Sequence, residues 1–193
     1  MQWILPRKGR IYLRLLVMCR KMRGASHGPP RAPAAEIAWS WVGSFLGMLV
    51  IAAPHRPLVT QTDLMLLIGS FGASAVLVFG AIRSPLAQPR NLVGGHVLSA
   101  LVGVACFQLL GGVPLLAIPT AVATAIALMH ATRTLHPPGG ATALIAVIGS
   151  ERVHDLGYLF ALVPAGSGAV LMLAVGLVVN NLSRARRYPQ FWL

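Results

Sequence analysis

Arg133 and His136 stand three residues apart in "ATRTLHPPGGATALIAV", residues 131–147, directly ahead of Pro137, Pro138, Gly139 and Gly140. An arginine can attract an anion from solution, and an imidazole, titrating near neutrality, can carry a proton with it. If the piece joining them is helical, the two side chains face one inner vestibule. Each residue also has a plainer reading: Arg133 as a charge anchoring the inner end of a span, His136 as a structural hydrogen bond across a chain break. The break itself follows from the prolines, which remove two backbone donors and bias Leu135 and His136 away from helical geometry. A new half-helix is expected from about Gly139 to Gly149, since Pro138 is well tolerated near a helix start.

A second polar run, "SPLAQPRNLVGGHVLSALVG" at residues 84–103, leads into another apolar segment. Pro89 is expected to stop the preceding chain and Asn91 to cap the next helix. Arg90 fits either the inner vestibule or ordinary inner-leaflet placement. His96 lies about one turn inside the segment, where an unpaired imidazole is costly, so it should face protein or water rather than lipid.

The elements that position these groups are set by composition. The chain has 193 residues, 56% hydrophobic and 10% charged, and a mean hydropathy of +0.72. Those values describe an integral membrane protein. Its net charge of +12 does not point to nucleic acid, because the basic residues cluster in short segments between apolar runs instead of covering a hydrated face. Residues 1–35 are expected to be a basic arm on the anionic lipids of the inner leaflet followed by a linker, or a disordered extension, with no secretion-signal cleavage site. Cys19 and Cys106 are too differently placed for a disulfide framework or a metal site.

Apolar stretches fall at about 37–53, 64–82, 92–110, 113–129, 139–149 and 156–179. The fifth is too short to cross unless extended backward to about His130. Six crossings with both termini cytoplasmic leave only Arg56 and Arg152 of the 16 Lys and Arg on the outer side. Re-entrant second and fifth segments would move Arg83, Arg90 and Arg133 outward as well, which the positive-inside rule disfavours. The expected compartment is a bacterial inner membrane.

"GASAVL" at 72–77 echoes "GATALI" at 140–145 with an offset of 68 residues. Two copies with three crossings each, at about 36–111 and 112–182, would lie upside down relative to one another. If segments two and five both break at the matched position, half-helices beginning near Ser70 and Gly139 bring two amino ends together near the midplane and form an anion site. Its expected residues are Ser70, Gly72, Ala73, Ser74, His136, Pro138, Gly139, Gly140, Ala141 and Thr142, with Arg90, Asn91, His96 and Arg133 along the path. The small residues among them fit close helix packing equally well, as Gly43/Gly47 and Gly95/Ser99/Gly103 do.

The acids Glu36, Asp63, Glu151 and Asp155 lie outside the deep apolar runs, which weighs against cation pumps and metal transport. No nucleotide loop, Ser/His/Asp set or zinc spacing is present, so no enzyme and no cofactor is expected.

With "TRTLHPPGGATALIAV", "SPLAQPRNLVGGHVLSALVG" and the ending "VVNNLSRARRYPQFW" in view, residues 36–192 resemble the HPP family of integral membrane proteins, named for its His-Pro-Pro motif. The resemblance implies a four-helix membrane protein and, from plant plastid and cyanobacterial members, transport of nitrite or a similar small anion. Four helices conflict with the six crossings that the charges favour. The resulting expectation is an all-helical domain at 36–193 that carries a small monovalent anion, with or without protons, as a monomer or homo-oligomer. A membrane scaffold docking through residues 1–35 is the rival from another class.

Overall fold

The computed structural model describes residues 14, 16–22, 28, 30–55, 57 and 60–193, and among them all regular structure is helical. Residues 33–193 form one compact unit and residues 1–32 a second, whose described part includes an exposed helical stretch at 16–21. The rest of the expected arm before residue 30 lies mostly outside the described residues.

Helix α1 spans Ala34–His55. Helix α2, Gln61–Ala75, begins after Thr60, whose hydroxyl accepts the Asp63 N–H at 3.2 Å, and it continues through a wider π turn at Val76–Gly80. A single 3-10 turn, Pro85–Ala87, leads into α3, Pro89–Leu110. Pro89 opens α3 rather than stopping the chain before it, because the donor it lacks would be unpaired at that position anyway. Asn91 sits inside the first turn and Gln88 holds the cap position, so the capping expected of Asn91 does not occur.

Helix α4 spans Pro114–Ala131 and α5 spans Pro137–Ile148. A short α6, Glu151–Leu156, and a π turn at Ala161–Gly166 precede α7, Ser167–Leu182. Among the described residues, five helical runs are long and apolar enough to cross a bilayer: Ala34–His55, Gln61–Gly80, Pro89–Leu110, Pro114–Ala131 and Ala161–Leu182. The 12 residues of α5 cover only about 18 Å.

The expected break before α5 is present, and the one at Ser70 is not. Residues 64–75 contain no proline. Gly69 and Gly72 each cost a helix about 1 kcal/mol, but neither removes a backbone hydrogen bond, so α2 runs straight through Ser70. The second interruption lies in the last span instead. Val163 is extended (φ −137°, ψ 119°) ahead of Pro164, the same local effect that acts before Pro137.

Close backbone approach organises the centre. A Cβ on Gly95 would stand 2.5 Å from the Cβ of His136, one on Gly139 would stand 2.7 Å from Ser99 Oγ, and one on Gly103 would stand 2.5 Å from the Ala143 carbonyl. The pairs advance together along both helices, so α3 and α5 are parallel and meet through small residues. Gly43 and Gly47 play the same part for α1 against Phe79. Alpha-helix α2 runs the other way past α5, with Asp63 beside Ser150 and Ser70 beside Thr142. Ile51, Phe71, Phe79, Leu92 and Met172 fill the main apolar core between α1, α2, α3 and α7.

Candidate functional site

The chain leaves α4 through a Schellman turn: Thr134 N–H donates to the Met129 carbonyl at 2.8 Å and Arg133 N–H to that of His130 at 3.2 Å. Arg133 occupies the left-handed position that usually takes glycine, with φ 57°. Residues 134–136 then form no helix, and His136 is extended (φ −140°, ψ 103°). The piece joining Arg133 to His136 is therefore not helical, and the two side chains do not share a helix face: Arg133 is exposed and His136 is buried. The first turn of α3 holds this stretch in place, with Arg90 Nη2 donating to the Thr132 carbonyl at 2.7 Å and Asn91 Nδ2 to that of Leu135 at 2.8 Å.

Five polar side chains meet where α5 begins. His136 Nδ1 lies 2.8 Å from the Leu86 carbonyl, and its Nε2 lies 2.9 Å from Ser74 Oγ. Ser74 Oγ is 2.8 Å from His96 Nε2, and His96 Nδ1 is 2.7 Å from Thr142 Oγ1. Thr142 Oγ1 is 3.0 Å from Ser70 Oγ, which donates to the Pro138 carbonyl at 2.8 Å. All five side chains are buried, Phe71 stacks on His96 with ring centroids 4.5 Å apart, and the two imidazoles are 5.0 Å apart. Ser70 and Ser74 reach the cluster because they are one turn apart on α2, while His96 comes from α3 and Thr142 from α5.

This arrangement differs from the anion site expected between two helix ends. Only α5 has an end here, and that end is poor in donors: two of its first positions are prolines, and Gly139 N–H is already bonded to the His136 carbonyl at 2.8 Å. His96 is seven residues into α3, about 10 Å along a helix about 33 Å long, so the cluster lies about a third of the way along it, nearer the middle than the end. Ala73 is exposed on another face of α2, and a Cβ on Gly72 would meet nothing within 4 Å. Gly140 and Ala141 are half-buried, and a Cβ on Gly140 would come nearest Val122 of α4. Of the expected residues, Ser70, Ser74, His96, His136, Pro138 and Thr142 converge, with Gly139 packed against Ser99.

Two further polar networks went unread in the sequence. Arg186, only 5% exposed, donates Nη1 to Asn180 Oδ1 at 2.9 Å and Nη2 to Ser40 Oγ at 2.8 Å, and pairs with the Glu36 carboxylate at 2.9 Å. Ser40 and Asn180 in turn donate to the carbonyls of Phe79 and Val78, acceptors in the π turn after α2. Asn180 inside an apolar run was the available signal. His55, also buried, lies 2.8 Å from Ser167 Oγ at the start of α7.

Among the described residues no group of three or more His, Cys, Asp or Glu is assembled to hold a metal. Residues 29–189 match the family described as "HPP, transmembrane region". Two transmembrane proteins of Dictyostelium discoideum are 47% identical over 176 residues and 48% identical over 173, covering 90% and 88% of this chain. The chain spans 56% and 60% of their lengths. No solved structure matches it. The extended His136 followed by the two prolines that open α5 is the His-Pro-Pro motif in three dimensions, and the chain belongs to the HPP family of membrane proteins.

Proposed function

We propose that this chain moves a small monovalent anion, nitrite foremost, across a membrane that it crosses six times with both ends on the cytoplasmic side. The observation carrying the reading is the buried set of Ser70, Ser74, His96, His136 and Thr142 among otherwise apolar spans. Ionisable groups at such depth are costly and usually lie on the path of a substrate or proton. The sixth crossing is supported by the register of α5, which starts beside Gly95, six residues and about 9 Å along α3, and continues for about 18 Å in the same direction. The non-helical stretch 134–136 covers the remaining depth, and its carbonyl at Leu135 is paired with Asn91, as irregular backbone inside a membrane requires. The antiparallel course of α2 and α5 is the one inverted halves would need. Arg133, exposed at the mouth of the non-helical stretch, is the group that would draw an anion toward His136.

Purified protein in proteoliposomes should take up nitrite faster than protein-free vesicles, and a panel of nitrite, nitrate, formate, chloride and bicarbonate ranks the substrates. Arg133→Ala should lower uptake severalfold, and His136→Ala should change its dependence on pH. Rates equal to protein-free vesicles for the whole panel would overturn the proposal. Nitrite stands first among these anions through family likeness alone.

A further inference from the structure

The polar cluster is a chain of contacts with an acceptor at each end. It runs from the Pro138 carbonyl through Ser70, Thr142, His96, Ser74 and His136 to the Leu86 carbonyl, with links of 2.8, 3.0, 2.7, 2.8, 2.9 and 2.8 Å. A carbonyl can only accept, and each neutral hydroxyl or imidazole in between supplies one hydrogen. These six links, all of 3.0 Å or less, thus share five hydrogens; Ser74 and Thr142 also lie 3.4 Å from the carbonyls of Ser70 and Pro138, one turn back on their own helices. One added proton gives every link its hydrogen and leaves one imidazolium in the chain.

Nothing on the cluster offsets that charge. The groups that hydrogen-bond or stack on the two rings are Ser74 and Phe71 of α2, Thr142 of α5 and the Leu86 carbonyl of the 3-10 turn, none of them ionic; His96 and His136 are each other's titratable neighbours. The basic groups near the mouth are Arg90, bonded to the Thr132 carbonyl, and exposed Arg133. A second proton would set two cations 5.0 Å apart in a site without a carboxylate. We infer that the cluster binds one proton, and that this proton crosses with the anion as an electroneutral pair. The inference rests on the anion-transport reading for its second half only.

A proton arriving on His96 Nδ1 releases the Nε2 proton to Ser74 Oγ, Ser74 passes its own hydrogen to His136 Nε2, and the imidazolium is then His136, with Nδ1–H on the Leu86 carbonyl. His96 is left neutral with its hydrogen on Nδ1, directed at Thr142; the Ser74 and Thr142 hydroxyls have turned around, and Ser70 still donates to the Pro138 carbonyl. An anion beside the imidazolium supplies the missing countercharge, which ties uptake of one to uptake of the other.

Two measurements on the purified chain test this. In proteoliposomes loaded with a pH dye, protein-dependent nitrite uptake should acidify the lumen by one proton per anion. A potassium–valinomycin clamp of about 59 mV, enough to change an uncoupled monovalent distribution tenfold, should leave the rate unchanged. In 15N-histidine spectra recorded with nitrite present, one imidazolium should form as the pH is lowered. Ser74→Ala cuts the chain into pieces of three links with three hydrogens and one link with one, so it should lose that imidazolium and slow coupled flux at least tenfold. Ser74→Thr should retain both. Nitrite moving with the voltage and without lumen acidification overturns the coupling. No imidazolium in the wild type overturns the proton site. An imidazolium without protein-dependent nitrite flux keeps the proton site and removes the transport reading with the coupling built on it.

Discussion

Arg133 holds a backbone conformation that glycine would hold more cheaply. A residue with a Cβ loses about 1 kcal/mol or more in the left-handed region, and no hydrogen bond of the Arg133 side chain offsets that cost among the described residues. Strain of this kind at a span's mouth marks a position kept for its side chain. Arg133→Gly is therefore expected to raise thermal stability in detergent by about 1 kcal/mol while lowering anion uptake. A variant that is more stable and equally active would reduce Arg133 to an anchoring charge. The neighbouring glycines divide in the same way. A Cβ on Gly139 would crowd Ser99 Oγ and the Gly95 carbonyl, whereas one on Gly140 finds Val122 at an ordinary 3.8 Å. Gly139→Ala should cost about 1–3 kcal/mol through overpacking. Gly140→Ala should be neutral, or stabilising by up to about 1 kcal/mol through helix propensity, which unfolding measurements on the pair would show. Loss of uptake in a stable Gly140→Ala protein would mean that the ligand touches that backbone.

At the scale of elements, what could be read from the sequence was what proline dictates locally. Two consecutive prolines announce the break before α5 wherever the rest of the chain goes. The echo between "GASAVL" and "GATALI" carried no such cause at Ser70, and the helix ignored it. The break at Val163 obeys the same proline rule, but a long apolar run concealed it. Ser74 could be singled out in the sequence, yet its position between two histidines depends on α2 lying antiparallel to α5 while α3 lies parallel to it, a fact of packing that no local pattern contains. The small-residue stripe Gly95/Ser99/Gly103 sets that register. Gly103→Val, whose Cβ would meet the Ala143 carbonyl, should separate α3 from α5 and weaken the histidine cluster. Loss of the wild-type imidazolium spectrum, with helicity kept in far-UV circular dichroism, is the expected result.

For the molecule as a whole, residues near the end of the described chain fasten both its middle and its first span. Tyr188 is buried and donates to the Ala87 carbonyl at 2.7 Å, and Gln190 N–H reaches Gln88 Oε1 at 2.8 Å. Removing the Arg186 guanidinium would leave Asn180 and Ser40 without a donor and the Glu36 carboxylate without its ion pair. Because Glu36 is a third exposed, Arg186→Ala should cost about 2 kcal/mol, less than the loss of a fully buried pair, as a shift in thermal unfolding would register. Arg186 also imposes an order on synthesis. Helix α1 emerges from the ribosome with Glu36 and Ser40 already in place, but their partner follows 150 and 146 positions later. Until then the first helix can pack on α2 and its π turn through Gly43 and Gly47 but lacks the ion pair that ties it to the stretch after α7.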